Sequence, residues 1–133
     1  MKISELMTRH VETVEPEATL KDAAQLMDDE DVGALPVCDN DRLVGIITDR
    51  DIIVRAVSAG VDPNRSRVAD SMTSPILYCY DDQDADEVRR MMQDKKVRRL
   101  PVLDRSRRMI GIVSNSDLEL GHSEHDQIEK RAA

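Results

Sequence analysis

The sequence predicts an α+β protein made of two copies of one unit, and three observations carry that expectation. Ordered residues recur at a nearly constant offset along the chain. Each copy holds an apolar stripe at helical spacing just after a residue suited to cap a helix. Each copy then holds two short apolar runs separated by polar residues, the pattern of a β-hairpin. The 133 residues suit one compact domain, a size at which folding buries roughly two-thirds of the surface of the unfolded chain.

The duplication reads directly. Met7-Thr8 recurs 65 residues later as Met72-Thr73, Val32 as Val97, and Leu35-Pro36-Val37 as Leu100-Pro101-Val102. One inserted residue moves the offset to 66, where Gly45-Ile46-Ile47-Thr48 through Asp51 recurs as Gly111-Ile112-Val113-Ser114 through Asp117. Ordered matches of this kind mark an internal repeat.

Within each copy the elements follow in order. The first strand is expected at Val11–Val14 and at Ile76–Tyr80. Thr19 with Asp22, and Asp84 with Glu87, have the spacing of an N-cap and the third helical residue, so a helix starts at each. Leu20, Ala23, Ala24 and Met27, and in the second copy Ala85, Val88, Met91 and Met92, are the stripes those helices bury. Ala34–Cys38 with Leu43–Thr48, and Leu100–Leu103 with Met109–Ser114, are the hairpin strands. A second helix is expected over about Asp49–Ala59, with Gly60 as its stop and Asp62-Pro63-Asn64 as linker. The unit is strand, helix, strand, strand, helix. The expected division is residues 1–64 as the first repeat with its linker, 65–121 as the second, and 122–133 as a polar tail, frayed or disordered.

Composition bounds the function. With no Phe, no Trp and two tyrosines, the core is aliphatic. The net charge of −8 argues against nucleic acid as a partner, because phosphate backbones are bound through clustered Lys and Arg. The deficit lies in the first half: residues 1–64 hold 6 Lys/Arg against 14 Asp/Glu, residues 65–133 hold 13 against 13, so an anion should prefer the second half. No run is long and apolar enough to span a membrane, and nothing at the start reads as a signal peptide, so a cytoplasmic protein is expected. Cys38 and Cys79 have no metal-ligand spacing and read as reduced, packed thiols. His122 and His125, with Glu119 nearby, lack a fixed fourth ligand and read as surface residues rather than a metal site.

Met-Thr before the first strand, Leu-Pro-Val in the second, and Gly-x-x-Thr/Ser-x-x-Asp at the last helix resemble the cystathionine β-synthase (CBS) domain family. Both copies carry the motifs, over about Ile3 to Gly121, and Gly33–Asn64 is similar to the stand-alone two-repeat CBS proteins of the hypoxic-response type. The resemblance implies tandem CBS repeats packed sheet to sheet with pseudo-twofold symmetry, two related clefts between them, and a flat, disc-like homodimer. It implies a regulatory sensor of an adenosyl ligand, AMP, ADP or ATP, with S-adenosylmethionine and NAD(H) in the same chemical class. With no effector domain fused in the sequence, signalling to an effector protein in trans is expected.

Thr48 and Asp51 place a hydroxyl at a helix N-cap and a carboxylate at the third position, beside unpaired backbone N–H groups. A carboxylate suits the paired hydroxyls of a ribose and the hydroxyl a phosphate oxygen. Ser114 and Asp117 repeat the pair. Ser/Thr-x-x-Asp alone is an ordinary helix cap; its recurrence after a Gly-led strand in both copies, and its place in the family pattern, argue for ligand contact. By that pattern one cleft combines Ile46, Thr48 and Asp51 with Thr73, Ile76, Tyr78, Val97, Arg98 and Arg99. The other combines Ile112, Ser114 and Asp117 with Thr8, Val11, Thr13, Val32, Gly33 and Ala34. Arg98-Arg99 stands where nucleotide-binding relatives carry basic residues, and guanidinium groups suit phosphate; Gly33-Ala34 supplies no charge, so the Asp51 cleft is the favoured one.

Two other classes stand beside this reading. A ligand-free dimerisation or interaction scaffold predicts no response to any nucleotide. An enzyme is disfavoured by the absence of a nucleophile paired with a histidine base and of a Gly-rich phosphate loop.

Overall fold

In a computed structural model of the chain, residues 1–74 and 76–122 are described, with side chains as far as Glu119. The chain divides into two compact units. One is Glu12–Ile76; the other joins Met1–Val11 to the chain from Leu77 onward. Each closes around its own aliphatic core, so a length that suits one domain is spent on two small ones. The sequence repeats and the compact units are therefore different partitions of the chain, because Met72-Thr73 folds onto the last strand of the first copy and Met7-Thr8 onto the last strand of the second, rather than with the strand each introduces.

In the Glu12–Ile76 unit, helix α1 spans Leu20–Glu30, and the Thr19 hydroxyl oxygen accepts from the Asp22 N–H at 3.1 Å as its cap. Leu20, Ala23 and Met27 are its buried stripe. The helix ends at Asp31 in the left-handed region (φ 54°) without a glycine. Strands β1 (Ala34–Asp39) and β2 (Arg42–Thr48) form an antiparallel hairpin. Asn40 and Asp41 both have positive φ, as a two-residue turn matched to the strand twist requires. The expected strand at Val11–Val14 contracts to one parallel bridge, Val14 with Val37. Only Val14 of that segment is buried, so only there does pairing gain a core side chain.

Past β2 the chain makes a single α-helical turn, α2 (Asp49–Asp51), and continues as a π-helix over Ile52–Val57. Its hydrogen bonds reach five residues back, as from Ser58 N–H to the Ile53 carbonyl at 2.9 Å. This replaces the regular helix expected to Ala59, and Gly60 at φ 74° closes the turn that follows. Only Ala56 of the π segment is buried; Ile53, Val54 and Val57 are exposed. Helix α3 (Val68–Ser71) then anchors Val68 in the core with Val14, Leu35, Val37 and Ile47.

The second unit repeats this plan. Helix α4 spans Ala85–Lys95, capped by the Asp84 carboxylate accepting from the Asp86 N–H at 3.1 Å, one residue nearer than the expected Glu87. Strands β4 (Arg99–Leu103) and β5 (Met109–Ser114) pair antiparallel, and β3, reduced to Cys79–Tyr80, runs parallel to β4. Helix α5 covers Asn115–His122; the expected polar tail otherwise lies outside the described residues. Ile3 takes the place that Val68 has in the other unit, packing with Val88, Met92, Leu100 and Leu118. Both cysteines are buried and neither is in a disulfide. Burial pushes the Cys79 thiol up to about 12. Burial, with the Asp41 carboxylate second, pushes Cys38 up to about 11.

Candidate functional site

The corner between β2 and α2 is built by a reciprocal cap. The Asp51 N–H donates to the Thr48 hydroxyl oxygen at 3.0 Å, and the Thr48 N–H donates to Asp51 Oδ2 at 3.0 Å. The spacing of three residues closes both bonds because the third helical residue turns its side chain back over the cap. Beside this corner runs the Met-Thr segment. Thr73 N–H donates to the Ile46 carbonyl at 2.8 Å and Ile46 N–H to the Thr73 carbonyl at 3.0 Å. The Thr73 hydroxyl then donates to Asp51 Oδ1 at 3.5 Å. A Cβ on Gly45 would meet the Thr73 carbonyl at 2.9 Å and Met72 Sδ at 2.7 Å. The glycine and the Met-Thr pair of the repeat are thus two sides of one contact, the bare backbone admitting the incoming segment.

Gly33 and Ala34 belong to this corner as well. Ala34 lies opposite Thr48 in the β1–β2 ladder, and the Gly33 carbonyl accepts from the Asp49 N–H at 2.9 Å. Val32 packs on the core, Thr13 is exposed, and Ile76 ends the unit half-buried.

The corner between β5 and α5 has the same geometry. Ser114 N–H donates to Asp117 Oδ2 at 3.0 Å and Asp117 N–H to the Ser114 hydroxyl oxygen at 3.2 Å. Thr8 bridges Ile112 through two backbone bonds of 2.8 and 2.9 Å. A Cβ on Gly111 would stand 2.7 Å from the Thr8 carbonyl. Arg99 faces Ser114 across the ladder, and the Arg98 carbonyl accepts from the Asn115 N–H at 2.9 Å. The arginine pair is therefore carried by the unit of Ser114 and Asp117, and Ile46, Thr48, Asp51 and Thr73 by the other. Both guanidinium groups are on exposed residues. Val97 packs on the core and Val11 is half-buried.

Tyr78 meets Tyr80 edge to face, ring centroids 5.5 Å apart. The hydrogen bond between the two phenols raises Tyr78 and lowers Tyr80 from the ordinary tyrosine value. Arg105, in the β4–β5 turn, lies 4.1 Å over the Tyr80 ring and pairs with Asp82 at 2.7 and 2.9 Å. Tyrosine and arginine here hold each other on one surface.

Sequence reasoning missed Arg55. Its Nε lies 3.8 Å from Asp51 Oδ1, and its Nη1 donates to the Met72 carbonyl at 3.1 Å and to the Ser71 carbonyl at 3.4 Å. The signal was the four-residue spacing from Asp51, which places acid and base on one helical face. Position 121, its equivalent at the offset of 66, is glycine.

Among the described residues no three His, Cys, Asp or Glu side chains are grouped to hold a metal; His122 ends α5 and His125 lies outside those residues. No helix among them is long and apolar enough to cross a membrane.

Comparison with known proteins agrees with this geometry. The family model described as the CBS domain matches twice, over residues 3–58 and 67–119. Hypoxic response protein 1 of Mycobacterium tuberculosis is 38% identical over 122 residues, 91% of this chain and 85% of that protein. The crystal structure of hypoxic response protein I with two coordinated zinc ions superposes with a TM-score of 0.81 at 36% identity, over 91% of this chain and 98% of that one. The expected likeness to two-repeat proteins of the hypoxic-response type is borne out. CBSX2 of Arabidopsis thaliana, solved in complex with AMP, gives 0.79 at 26% identity over 94% of this chain and 98% of that one. The CBS pair of MJ0100, solved with 5′-methylthioadenosine and S-adenosyl-L-methionine, gives 0.74 at 25% identity over 94% and 98%. The chain belongs to the CBS-domain family and carries two CBS domains in tandem, the architecture of a regulatory module.

Proposed function

We propose that this chain is a non-catalytic sensor of an adenosyl ligand, AMP, ADP or ATP, that acts in the cytoplasm on an effector protein in trans. The observation that carries this reading is the reciprocal cap built twice, at Thr48–Asp51 and at Ser114–Asp117. Each cap occupies Oδ2 of its aspartate in accepting a backbone N–H. A carboxylate has about four lone-pair sites, so each retains acceptor capacity for the two hydroxyls of a ribose. The AMP complex of CBSX2 and the adenosyl ligands of the MJ0100 pair support the ligand class. Arg98 and Arg99 supply guanidinium groups for phosphate. A ligand that prefers one arrangement of the repeats over another shifts their population by its differential affinity, which is the signal passed on.

Calorimetric titration with AMP, ADP, ATP, S-adenosylmethionine and NADH tests the proposal. Saturable binding that Asp51→Ala or Asp117→Ala weakens is the expected result, and no heat from any of the five at millimolar concentration refutes it.

A second reading, a homodimerisation scaffold, is favoured by one observation: Ile53, Val54 and Val57 are 61%, 56% and 65% exposed on neighbouring turns of the π-helix. Contiguous exposed apolar side chains mark association surfaces. Sedimentation of the wild type against Val57→Glu separates the two: a dimer that the charge dissociates, with no nucleotide response in either protein, selects the scaffold.

A further inference from the structure

We infer that Arg55 is a phosphate-binding and specificity-determining residue of the Asp51 corner, so that this corner selects a phosphorylated adenosyl ligand over the uncharged nucleoside. The inference rests on the reading of Asp51 as a ribose ligand and adds the group that reads the rest of the molecule.

The guanidinium is held from behind. Nη1 donates to the Met72 and Ser71 carbonyls at 3.1 and 3.4 Å, which fixes its plane against the Met-Thr segment. Nε faces Asp51 Oδ1 at 3.8 Å, too long for a hydrogen bond and short enough for Coulombic attraction. A guanidinium has five N–H donors in a rigid fork. Among the described residues, the two on Nη2 have no partner, and the side chain is 50% exposed. An arginine that is anchored through one arm and open through the other has already lost the side-chain freedom that anion binding would otherwise cost.

Charge arithmetic at the corner points the same way. Asp49 and Asp51 both lie in the first turn of α2, in the half of the chain with the acidic excess. A phosphate brought beside a ribose on Asp51 meets two carboxylates, and Ala34 and Gly33 on the adjoining strand offer it no cation. Arg50, between the two aspartates, is a second exposed cation of the turn; Arg55 is the one anchored on the Ser71 and Met72 carbonyls beside Asp51. In the second copy the helix position is Gly121, and the neighbouring cation is Arg99 on the strand facing Ser114. The two corners thus read an anion from different elements, one from the helix and one from the strand.

Paired titrations with AMP and adenosine test this in the wild type, Arg55→Gln and Asp51→Asn. Losing a charge-assisted hydrogen bond should weaken AMP about 10- to 100-fold in Arg55→Gln. Adenosine, which has no phosphate for the guanidinium to contact, should change less than about threefold, a difference of under about 0.7 kcal/mol. Adenosine affinity also reports whether the corner is still intact. Equal losses for both ligands, or none for either, overturn the role given to Arg55. Asp51→Asn should weaken both ligands together; wild-type protein that binds neither removes the ribose reading beneath the inference and the inference with it. If Arg55→Gln does not fold, Arg55→Lys replaces it. An ammonium that holds both carbonyls keeps one donor for phosphate, on the same nitrogen, where the guanidinium keeps two on a separate arm, so its preference for AMP over adenosine should fall several-fold, and an unchanged preference overturns the assignment.

Discussion

Replacing Gly45 by alanine puts one methyl group where the Met72-Thr73 segment docks. The added carbon stands 2.7 Å from Met72 Sδ and 2.9 Å from the Thr73 carbonyl. The sulfur belongs to a flexible side chain and can swing away. The carbonyl cannot, because it accepts from the Ile46 N–H while Thr73 N–H donates to the Ile46 carbonyl. Relief therefore means lifting the segment from β2 and losing two backbone hydrogen bonds worth about 1 kcal/mol each. Keeping the segment in place instead means overpacking, at about 1–3 kcal/mol. The two routes together give a destabilisation of about 1–3 kcal/mol. With no tryptophan in the chain, urea unfolding is best followed by far-ultraviolet circular dichroism, with amide exchange at Ile46 and Thr73 locating the damage. A midpoint that corresponds to less than about 0.5 kcal/mol, the range of neutral surface substitutions, with both amides still protected, refutes the docking argument.

The same reasoning ranks the other glycines. Gly111→Ala should cost as much as Gly45→Ala, since its Cβ meets the Thr8 carbonyl at 2.7 Å, and Gly60→Ala about 1 kcal/mol, because only its φ of 74° resists a side chain. Leu100→Ala, at a site 1% exposed in the core, should cost about 2–5 kcal/mol in the same unfolding assay. Cys38 and Cys79 should resist a thiol reagent at pH 8 in the folded protein and react on unfolding, because burial holds them near 11 and 12. Their folded values lie above the ordinary 9.0, so above that pH the unfolded chain binds fewer protons than the folded one and stability falls as pH rises toward 12. Stability that rises between pH 9 and 11 contradicts that burial. Asp117→Asn should destabilise by about 0.3–1 kcal/mol, because the amide oxygen can still accept from the Ser114 N–H but the negative charge in the first turn of α5 is lost, read as a shift in thermal midpoint.

Local chemistry was legible from the residues. Thr19 and Asp84 cap α1 and α4, and of the expected stripes Leu20, Ala23 and Met27, and Ala85, Val88 and Met92, are buried, while Ala24 is exposed and Met91 half-buried because each lies at the edge of its helix's core face. The Thr48–Asp51 and Ser114–Asp117 boxes close as their spacing implies. Elements whose existence depends on a distant partner were not. The strand expected at Val11–Val14 survives as a single bridge, since alternation of residue types does not say how many of them reach a core. The π-helix at Ile52–Val57 is equally hidden, because its apolar residues satisfy any helical period once their burial is unknown.

The sequence by itself determined the duplication, the element types and the two carboxylate corners, because repeats, caps and apolar periods are short-range properties of the chain. Only the tertiary structure decided that Met72-Thr73 pairs with β2 and Met7-Thr8 with β5, and so which glycine makes room for which segment. It also decided that Arg55 is anchored on the Ser71 and Met72 carbonyls beside Asp51. The contacts to the backbone of the Met-Thr segments join residues 16 to 104 positions apart, and no local preference specifies a partner at that separation: the match is made by shape and hydrogen bonding once both surfaces exist.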